Sequence, residues 1–151
     1  MRDAAVVVVD DNRDDVALTV RALNRAGVGS ETIEVVLGGR AAIDYLFGRG
    51  RYAERDTARQ PSLILLDAKM TDVDGVHVVQ QLRQDGRTRL IPVVMLTASN
   101  DPRIVLDAYR CGANSYIRKP LDSREFNETV ERLVAYWLHL NAAAAIERPP
   151  S

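Results

Sequence analysis

Acidic, hydroxyl and basic residues follow short apolar runs at four places in this sequence. They are Asp10 and Asp11, Asp67, Thr97 and Lys119. Because an ionised carboxylate is very costly to bury alone, the acidic residues should lie at the carboxyl ends of strands and face a crevice. If the strands are parallel, three carboxylates, a hydroxyl and an ammonium share one pocket. Such a set of groups is suited to a phosphoryl group and a divalent cation.

The apolar runs before these residues predict the strands that position them. Residues 63–66 are continuously apolar after Pro61 and Ser62, which is typical of a strand buried on both faces of a parallel sheet. Altogether we predict five strands, at residues 4–11, 32–37, 63–66, 91–97 and 115–118.

Segments with helical spacing of apolar residues alternate with these strands. Asp101-Pro102 predicts the start of a fourth helix and Gly112 its end, while Asp122 with Glu125 predicts a capping box at the start of a fifth. Strands that alternate with helices predict one α/β domain, with a parallel sheet covered on both faces and right-handed crossovers. The other predicted helix caps are Asn12 or Asp14 for the first helix and Asp74 for the third.

Composition and charge exclude several classes of protein. The net charge is -1, so no global field attracts nucleic acid or an anionic membrane. No apolar stretch approaches the roughly 20 residues of a membrane span, the N-terminus leaves no room for a secretory signal, and Cys111 has no disulfide partner. We expect a cytoplasmic protein that binds neither nucleic acid nor membrane. We also expect one domain at residues 1–140 and a tail at 141–151 that is too short for an output module.

Four motifs occur in order on the predicted strands, namely VVVVDDN, LILLDAKM, MLTAS and YIRKP. With these motifs, residues 4–138 resemble the receiver domain of two-component response regulators. The long segment 48–60 and the Tyr-Trp-Leu ending of the last helix further resemble the short regulators, without an output domain, that are paired with phytochrome histidine kinases. The resemblance implies a flavodoxin-like fold, in which a doubly wound sheet of five parallel strands has the order 2-1-3-4-5.

The resemblance also implies a function and a set of ligands. Asp67 would accept a phosphoryl group from a phosphohistidine of a sensor histidine kinase, such as a bacteriophytochrome. Asp10, Asp11 and Asp67, together with the backbone carbonyl of Lys69, would hold Mg²⁺, or Mn²⁺ in its place. The protein would catalyse its own phosphorylation and slow dephosphorylation, without being a turnover enzyme.

Three further features are implied for the phosphorylated state. Thr97 and Lys119 would bind the phosphoryl oxygens. Tyr116 would be the aromatic switch that changes rotamer. The Lys119–Pro120 peptide bond would be cis, which would place the lysine in the crevice.

Two residues in the segment that follows the predicted phosphoacceptor bear on the alternative functions. Thr71 stands where proline is usual in the family, and the side chain of Lys69 can lie over the phosphoryl group or in solvent. A phosphatase of the haloacid dehalogenase type also uses a strand-end aspartate, Mg²⁺, a hydroxyl and a lysine, but it needs an acid at the position of Lys69. A degenerate receiver acting only as a scaffold is a third alternative, although all five site residues are present.

The end of the last predicted helix suggests a contact with a second copy of the chain. Tyr136, Trp137, Leu138 and Leu140 follow where the sheet should end. Exposed apolar clusters mark interaction sites, and aromatic residues are favoured interface anchors. We therefore expect a homodimer formed through the C-terminal helix, with the alternative that Trp137 packs back onto its own domain. Segment 48–60 is predicted to be an exposed loop, either a tolerated insertion or a partner-docking element.

Overall fold

Five strands form one parallel sheet in the computed structural model, which describes residues 4–144. The strand order is β2-β1-β3-β4-β5, so the predicted fold class is confirmed. No helix within the described residues has the length and hydropathy of a transmembrane span. The strands are β1 (Val6–Asp10), β2 (Ile33–Leu37), β3 (Leu63–Leu66), β4 (Val93–Thr97) and β5 (Ser115–Arg118). The helices are α1 (Arg13–Arg25), α2 (Gly39–Phe47), α3 (Gly75–Arg83), α4 (Pro102–Cys111) and α5 (Ser123–Val134).

Alternate residues of the strands enter two apolar layers, one on each face of the sheet. On β1, Val7 and Val9 pack in the layer formed with α2, α3 and α4, whereas Val6 and Val8 pack in the layer formed with α1 and α5. All side chains of β3 are buried, as predicted for a strand in the middle of a parallel sheet. This two-sided burial leaves the carboxyl ends of the strands as the edge where polar groups gather.

Side-chain caps fix the starts of three helices near that edge. The Asn12 side chain accepts hydrogen bonds from the first turn of α1, and Asp101 and Asp122 do the same for α4 and α5. Gly112 ends α4 in the left-handed conformation, with φ of 110°. The predicted caps Asn12, Asp101 and Asp122 and the end of α4 at Gly112 are confirmed. The capping box is formed only in part, because within residues 4–144 the Glu125 side chain accepts no hydrogen bond from the Asp122 N–H. Asp74 occupies the cap position of α3, but its side chain makes no capping hydrogen bond there.

The Lys119–Pro120 peptide bond is trans, as are all the other peptide bonds within residues 4–144. The prediction of a cis bond is therefore wrong. Peptide bonds before proline favour trans by about 0.5–1 kcal/mol, so a cis bond needs local geometry that enforces it. Here the Lys119 N–H donates to the Thr97 carbonyl at 2.7 Å, which continues the pairing of β5 with β4 and directs the lysine to the same edge of the sheet.

Segment 48–60 is held against the end of α2. It contains a 3₁₀ turn at Gly50–Tyr52. The guanidinium of Arg55 lies 4.1 Å from the Tyr45 ring centroid and donates to the Tyr45 carbonyl at 2.7 Å and to Gln60 Oε1 at 2.9 Å. The segment therefore has an ordered structure set by its own arginine, which its lack of periodicity did not predict.

The C-terminal helix continues past α5 as a π-helical turn at Ala135–Leu140. Trp137 is partly buried against the layer formed by α1, α5 and the sheet, so the alternative in which it packs onto its own domain is observed. The Tyr136 ring meets the Trp137 ring edge-on at 4.9 Å and is half exposed, and Leu140 is 76% exposed. An apolar strip therefore remains at the surface beyond the packed tryptophan.

Candidate functional site

Three carboxylates meet at the carboxyl ends of β1 and β3. Asp10, Asp11 and Asp67 each place one oxygen within 4.8 Å of the others. The cause is the register of the sheet, in which Val9 pairs with Leu66 so that the residues after them lie side by side. A compact set of three carboxylate oxygens fits a hard divalent cation such as Mg²⁺, which prefers oxygen ligands. The donor set of this chain thus fits the implied metal.

Lys119 approaches the same cluster from β5. Its Nζ lies 2.9 Å from Asp10 Oδ2, and both side chains are largely buried. Asp15 Oδ2 lies 3.9 Å away on the first turn of α1 and adds a second, weaker carboxylate partner that sequence reasoning missed. The other oxygen of Asp10 accepts a hydrogen bond from the Asn12 N–H at 3.0 Å. Lys119 therefore neutralises the most buried carboxylate in this state.

Asp67 is bound by the hydroxyl at the end of β4. Thr97 Oγ1 donates to Asp67 Oδ1 at 2.5 Å, and Thr97 itself is fully buried. Burial raises the pKa of the Asp67 carboxyl, and the charge of Asp10 adds to this rise, whereas the Thr97 hydrogen bond and the charge of Lys119 oppose it. The net rise means that this carboxylate is held in its charged form at a cost, which an added cation would reduce.

The site is open to solvent on the side of α3. Asp11 and Lys69 line a groove of about 710 Å³ that runs between α3 and α4. The Lys69 side chain is exposed, in agreement with the alternative that it enters solvent. Its N–H makes only a long hydrogen bond of 3.4 Å to Asp67 Oδ1. Asp11, Ala68 and Lys69 in the groove lining place this opening beside the half-buried Asp67.

Tyr116 lies on β5 and faces the segment between β4 and α4. Its hydroxyl donates to the Ser99 carbonyl at 2.7 Å, and the Ser99 N–H makes a long 3.5 Å contact to Thr97 Oγ1. Burial raises the pKa of the Tyr116 hydroxyl, with additional repulsion from Asp67 and Asp101. Ser99 thus links the hydroxyl that binds Asp67 to the predicted aromatic switch.

Asp72 was missed by sequence reasoning and anchors the segment after β3. Its carboxylate accepts hydrogen bonds from the N–H groups of Gly39 and Arg40, both at 3.0 Å, at the start of α2. Burial alone would raise the pKa of Asp72, but the N–H groups of Arg40, Val73 and Gly39 outweigh it and lower that pKa. The signal in the sequence is Gly38, the cap residue of α2, which has no side chain to satisfy the first turn.

Gly75 brings α3 against the backbone of the acceptor. A Cβ at this position would overlap the Asp67 carbonyl oxygen and lie 3.0 Å from Ala68 Cα. The Gly75 N–H donates to the Ala68 carbonyl at 2.9 Å. The glycine in the Asp74-Gly75 turn is therefore required by close approach to the acceptor, in addition to turn formation.

Comparison with known proteins identifies the family of this chain and several relatives. The family model of the response regulator receiver domain matches residues 6–131. The probable methanogenesis regulatory protein FilR2 of Methanothrix harundinacea is 38% identical over 136 residues, which cover 90% of this chain and 84% of FilR2. The phosphorylated cyanobacterial phytochrome response regulator RcpA superposes with a TM-score of 0.82 at 28% identity, covering 95% of this chain and all of RcpA.

A third relative provides a comparison for the metal site. The response regulator Rcp1 of Synechocystis is 29% identical over 88% of both chains. Its Mn²⁺-bound structure superposes with a TM-score of 0.80 at 27% identity, over 93% of this chain and 98% of Rcp1. Receiver domains bind divalent metal, and the carboxylate cluster of Asp10, Asp11 and Asp67 is consistent with that property. From its sequence and its fold, this chain belongs to the response regulator receiver domain family and is related to phytochrome response regulators.

Proposed function

We propose that this protein is a phosphorelay switch, in which Asp67 accepts a phosphoryl group from a phosphohistidine of a sensor histidine kinase. The observation that carries the proposal is the convergence on Asp67 of two further carboxylates, within 4.8 Å, and of the Thr97 hydroxyl. Lys119 completes the set through its ion pair with Asp10. These are the groups needed to neutralise, orient and receive a dianionic phosphoryl group.

In the proposed reaction an Asp67 carboxylate oxygen attacks phosphorus. A new P–O bond forms as the P–N bond of phosphohistidine breaks, and the imidazole nitrogen keeps the electron pair of that bond. Among residues 4–144, hydrogen bonds reach only Oδ1 of Asp67, so Oδ2 is the oxygen left for attack. Mg²⁺, held by Asp10, Asp11, Asp67 and the Lys69 carbonyl, would supply positive charge against the phosphoryl oxygens.

Thr97 and Lys119 change partners during this reaction. Before phosphorylation, Thr97 donates a hydrogen bond to Asp67, and Lys119 pairs with Asp10. A phosphoryl group on Asp67 offers both of them new anionic acceptors, and charge-assisted hydrogen bonds to such oxygens are strong. We infer that the Thr97 hydroxyl follows the phosphoryl oxygen and draws Ser99 with it, which releases the hydroxyl of Tyr116 for a rotamer change.

A turnover phosphatase is disfavoured by the residue two positions after the acceptor. Such an enzyme needs a group there that donates a proton to the leaving oxygen. The residue at this position is the exposed Lys69, which offers an ammonium in place of the carboxylic acid that such enzymes use. The site is better described as one that accepts a single phosphoryl group and loses it slowly.

The partner that we propose is a phytochrome-type histidine kinase. RcpA is a phytochrome response regulator, and it matches 95% of this chain in structure.

We also propose that a second copy of the chain covers the exposed strip of Tyr136 and Leu140, together with the half-exposed Leu106 and Tyr109 of α4. A twofold pairing would bury the same residues on both copies.

Intact-mass spectrometry with acetyl phosphate and Mg²⁺ tests the phosphoacceptor. The wild type should gain one phosphoryl group, Asp67→Asn should gain none, and Asp11→Ala should be labelled more slowly. Glu131→Gln, which removes the charge of an exposed carboxylate of α5, is the matched control and should behave like the wild type. Undiminished labelling of Asp67→Asn would overturn the assignment.

A further inference from the structure

Thr71 binds one of the carboxylates of the metal cluster with two donors. Asp11 Oδ2 accepts a hydrogen bond from the Thr71 N–H at 2.8 Å and another from Thr71 Oγ1 at 3.1 Å. The two residues are 60 positions apart in the chain, on the segments that follow β1 and β3. Within residues 4–144 these are the only hydrogen bonds made by the Asp11 carboxylate.

Both donors reach the same oxygen of Asp11. Oδ1 receives no hydrogen bond from the described residues, so it is the oxygen left for a cation. A carboxylate anchored at one oxygen by an amide and a hydroxyl has a fixed plane, and the free oxygen then has a fixed direction. Hydrogen bonds of this kind orient metal ligands and set their affinity.

The Thr71 segment is itself held in place from the other side. Asp72 accepts hydrogen bonds from Gly39 and Arg40 at the start of α2. On the following helix, the Gly75 N–H is bound to the Ala68 carbonyl. Thr71 therefore presents its donors from a backbone that is fixed on both sides, and its contact with Asp11 is preorganised.

Packing does not explain the threonine at this position. The residue is exposed, so its side chain contributes little buried apolar surface. Its hydroxyl makes one side-chain hydrogen bond, to Asp11. A proline, by contrast, would offer neither an N–H nor a hydroxyl to the carboxylate. The hydroxyl donor thus requires threonine or serine at this position, whereas any residue except proline supplies the N–H.

We propose that Thr71 is a positioning residue for the divalent cation, which it serves by holding the Asp11 carboxylate in its ligating orientation. The inference deepens the proposed function, because the cation of this site is the one that supports phosphorylation of Asp67. Losing the hydroxyl alone should weaken metal binding modestly, since the 2.8 Å backbone donor remains. Losing both donors should weaken it by about 10- to 100-fold, the usual effect of removing the partners of a metal ligand.

Titration with Mn²⁺, followed by the electron paramagnetic resonance signal of the unbound ion, tests this without any phosphodonor. We expect Thr71→Ser to bind Mn²⁺ like the wild type, Thr71→Val to bind it a few-fold more weakly, and Thr71→Pro to bind it most weakly. Mg²⁺ competition should give the same order. Thr129→Val on α5 is the matched control for loss of a threonine hydroxyl. Thermal melting without metal identifies a variant that fails to fold. If Thr71→Pro does not fold, the comparison of Thr71→Val with Thr71→Ser still tests the proposal.

The outcomes separate this inference from the proposed function. Equal or tighter Mn²⁺ binding in Thr71→Val and Thr71→Pro would overturn the role of Thr71, as would failure of Thr71→Ser to retain affinity. A wild type that binds Mn²⁺ but is not labelled by acetyl phosphate would overturn the phosphoacceptor assignment and leave the result for Thr71 standing. A wild type with no Mn²⁺ affinity would overturn both.

Discussion

Thr97 Oγ1 donates to Asp67 Oδ1 at 2.5 Å, so the hydroxyl at the end of β4 is bound to the acceptor before any phosphoryl group arrives. The same hydroxyl is linked through Ser99 to the hydroxyl of Tyr116. A change at Asp67 can therefore reach β5 through groups that already share hydrogen bonds.

Beryllofluoride, a phosphoryl analogue, should change hydrogen exchange across residues 100–125 of the wild type in the presence of Mg²⁺. Thr97→Val keeps the side-chain shape but removes the donor, so this response should be lost or strongly reduced. Mass-spectrometric hydrogen exchange measures it, with Thr129→Val as control. Unchanged protection of residues 100–125 in the wild type would contradict the coupling.

Asp67→Asn should stabilise the metal-free protein at neutral pH. Burial raises the pKa of Asp67 above its ordinary value of 3.8, so the wild type loses stability as the pH rises from that value through the raised pKa. Asparagine removes the charge and keeps an acceptor for Thr97. We expect the melting temperature of Asp67→Asn to exceed that of the wild type by a few degrees at pH 7.

The pH dependence and the response to metal provide the controls for this stability prediction. The difference between Asp67→Asn and the wild type should vanish at a pH well below 3.8, where the carboxyl is protonated in both the folded and the unfolded chain. Mg²⁺ should raise the melting temperature of the wild type more than that of the variant. A variant less stable than the wild type at pH 7 would be inconsistent with a raised pKa.

Gly75→Ala should destabilise the fold at the acceptor. The new Cβ would overlap the Asp67 carbonyl oxygen, which is backbone and cannot rotate away. Overpacking of this kind costs about 1–3 kcal/mol. Gly86→Ala is the matched control, because a Cβ there has no neighbour within 4 Å. Urea denaturation should separate the two variants, and equal stabilities would show that the close approach is tolerated.

Leu140→Glu should dissociate the proposed homodimer. Leu140 is 76% exposed and lies beyond Trp137, which already packs onto its own domain, so the new charge should disrupt the interface without disturbing the core. Leu121→Glu changes a leucine that is 98% exposed near Lys119, away from the strip, and serves as control. Sedimentation at tens of micromolar measures the effect. A wild type that is monomeric with and without phosphorylation would end the proposal.

The convergence of the site groups could be predicted from sequence because it depends on topology. Each apolar run ends in a polar residue, and parallel strands bring those ends to one edge, which accounts for the placement of Asp10, Asp67 and Thr97. The partner of Lys119 could not be predicted in this way. Its ion pair with Asp10 depends on the rotamers of the two side chains, which do not appear in apolar periodicity.

Contacts between distant loops were also beyond sequence reasoning. Gly38 indicates that α2 lacks a cap of its own, but nothing local identifies Asp72, which is more than thirty positions away, as the acceptor. Segment 48–60 has no periodicity because Arg55 orders it through carbonyl groups and the face of Tyr45, and such contacts leave no repeating pattern. In both cases one polar side chain fixes the local backbone through hydrogen bonds that do not belong to a helix or a sheet.

The two anchors of the segment after β3 also bear on the order of folding. Thr71 meets Asp11 across 60 residues, and Asp72 meets Gly39 across 33, so each contact closes a long loop whose entropy must first be offset by pairing of β1 with β3. We therefore expect cation affinity to appear late during refolding, after the helices have formed. A collapsed chain with helices in place but without these two contacts would be compact and unable to bind the ion.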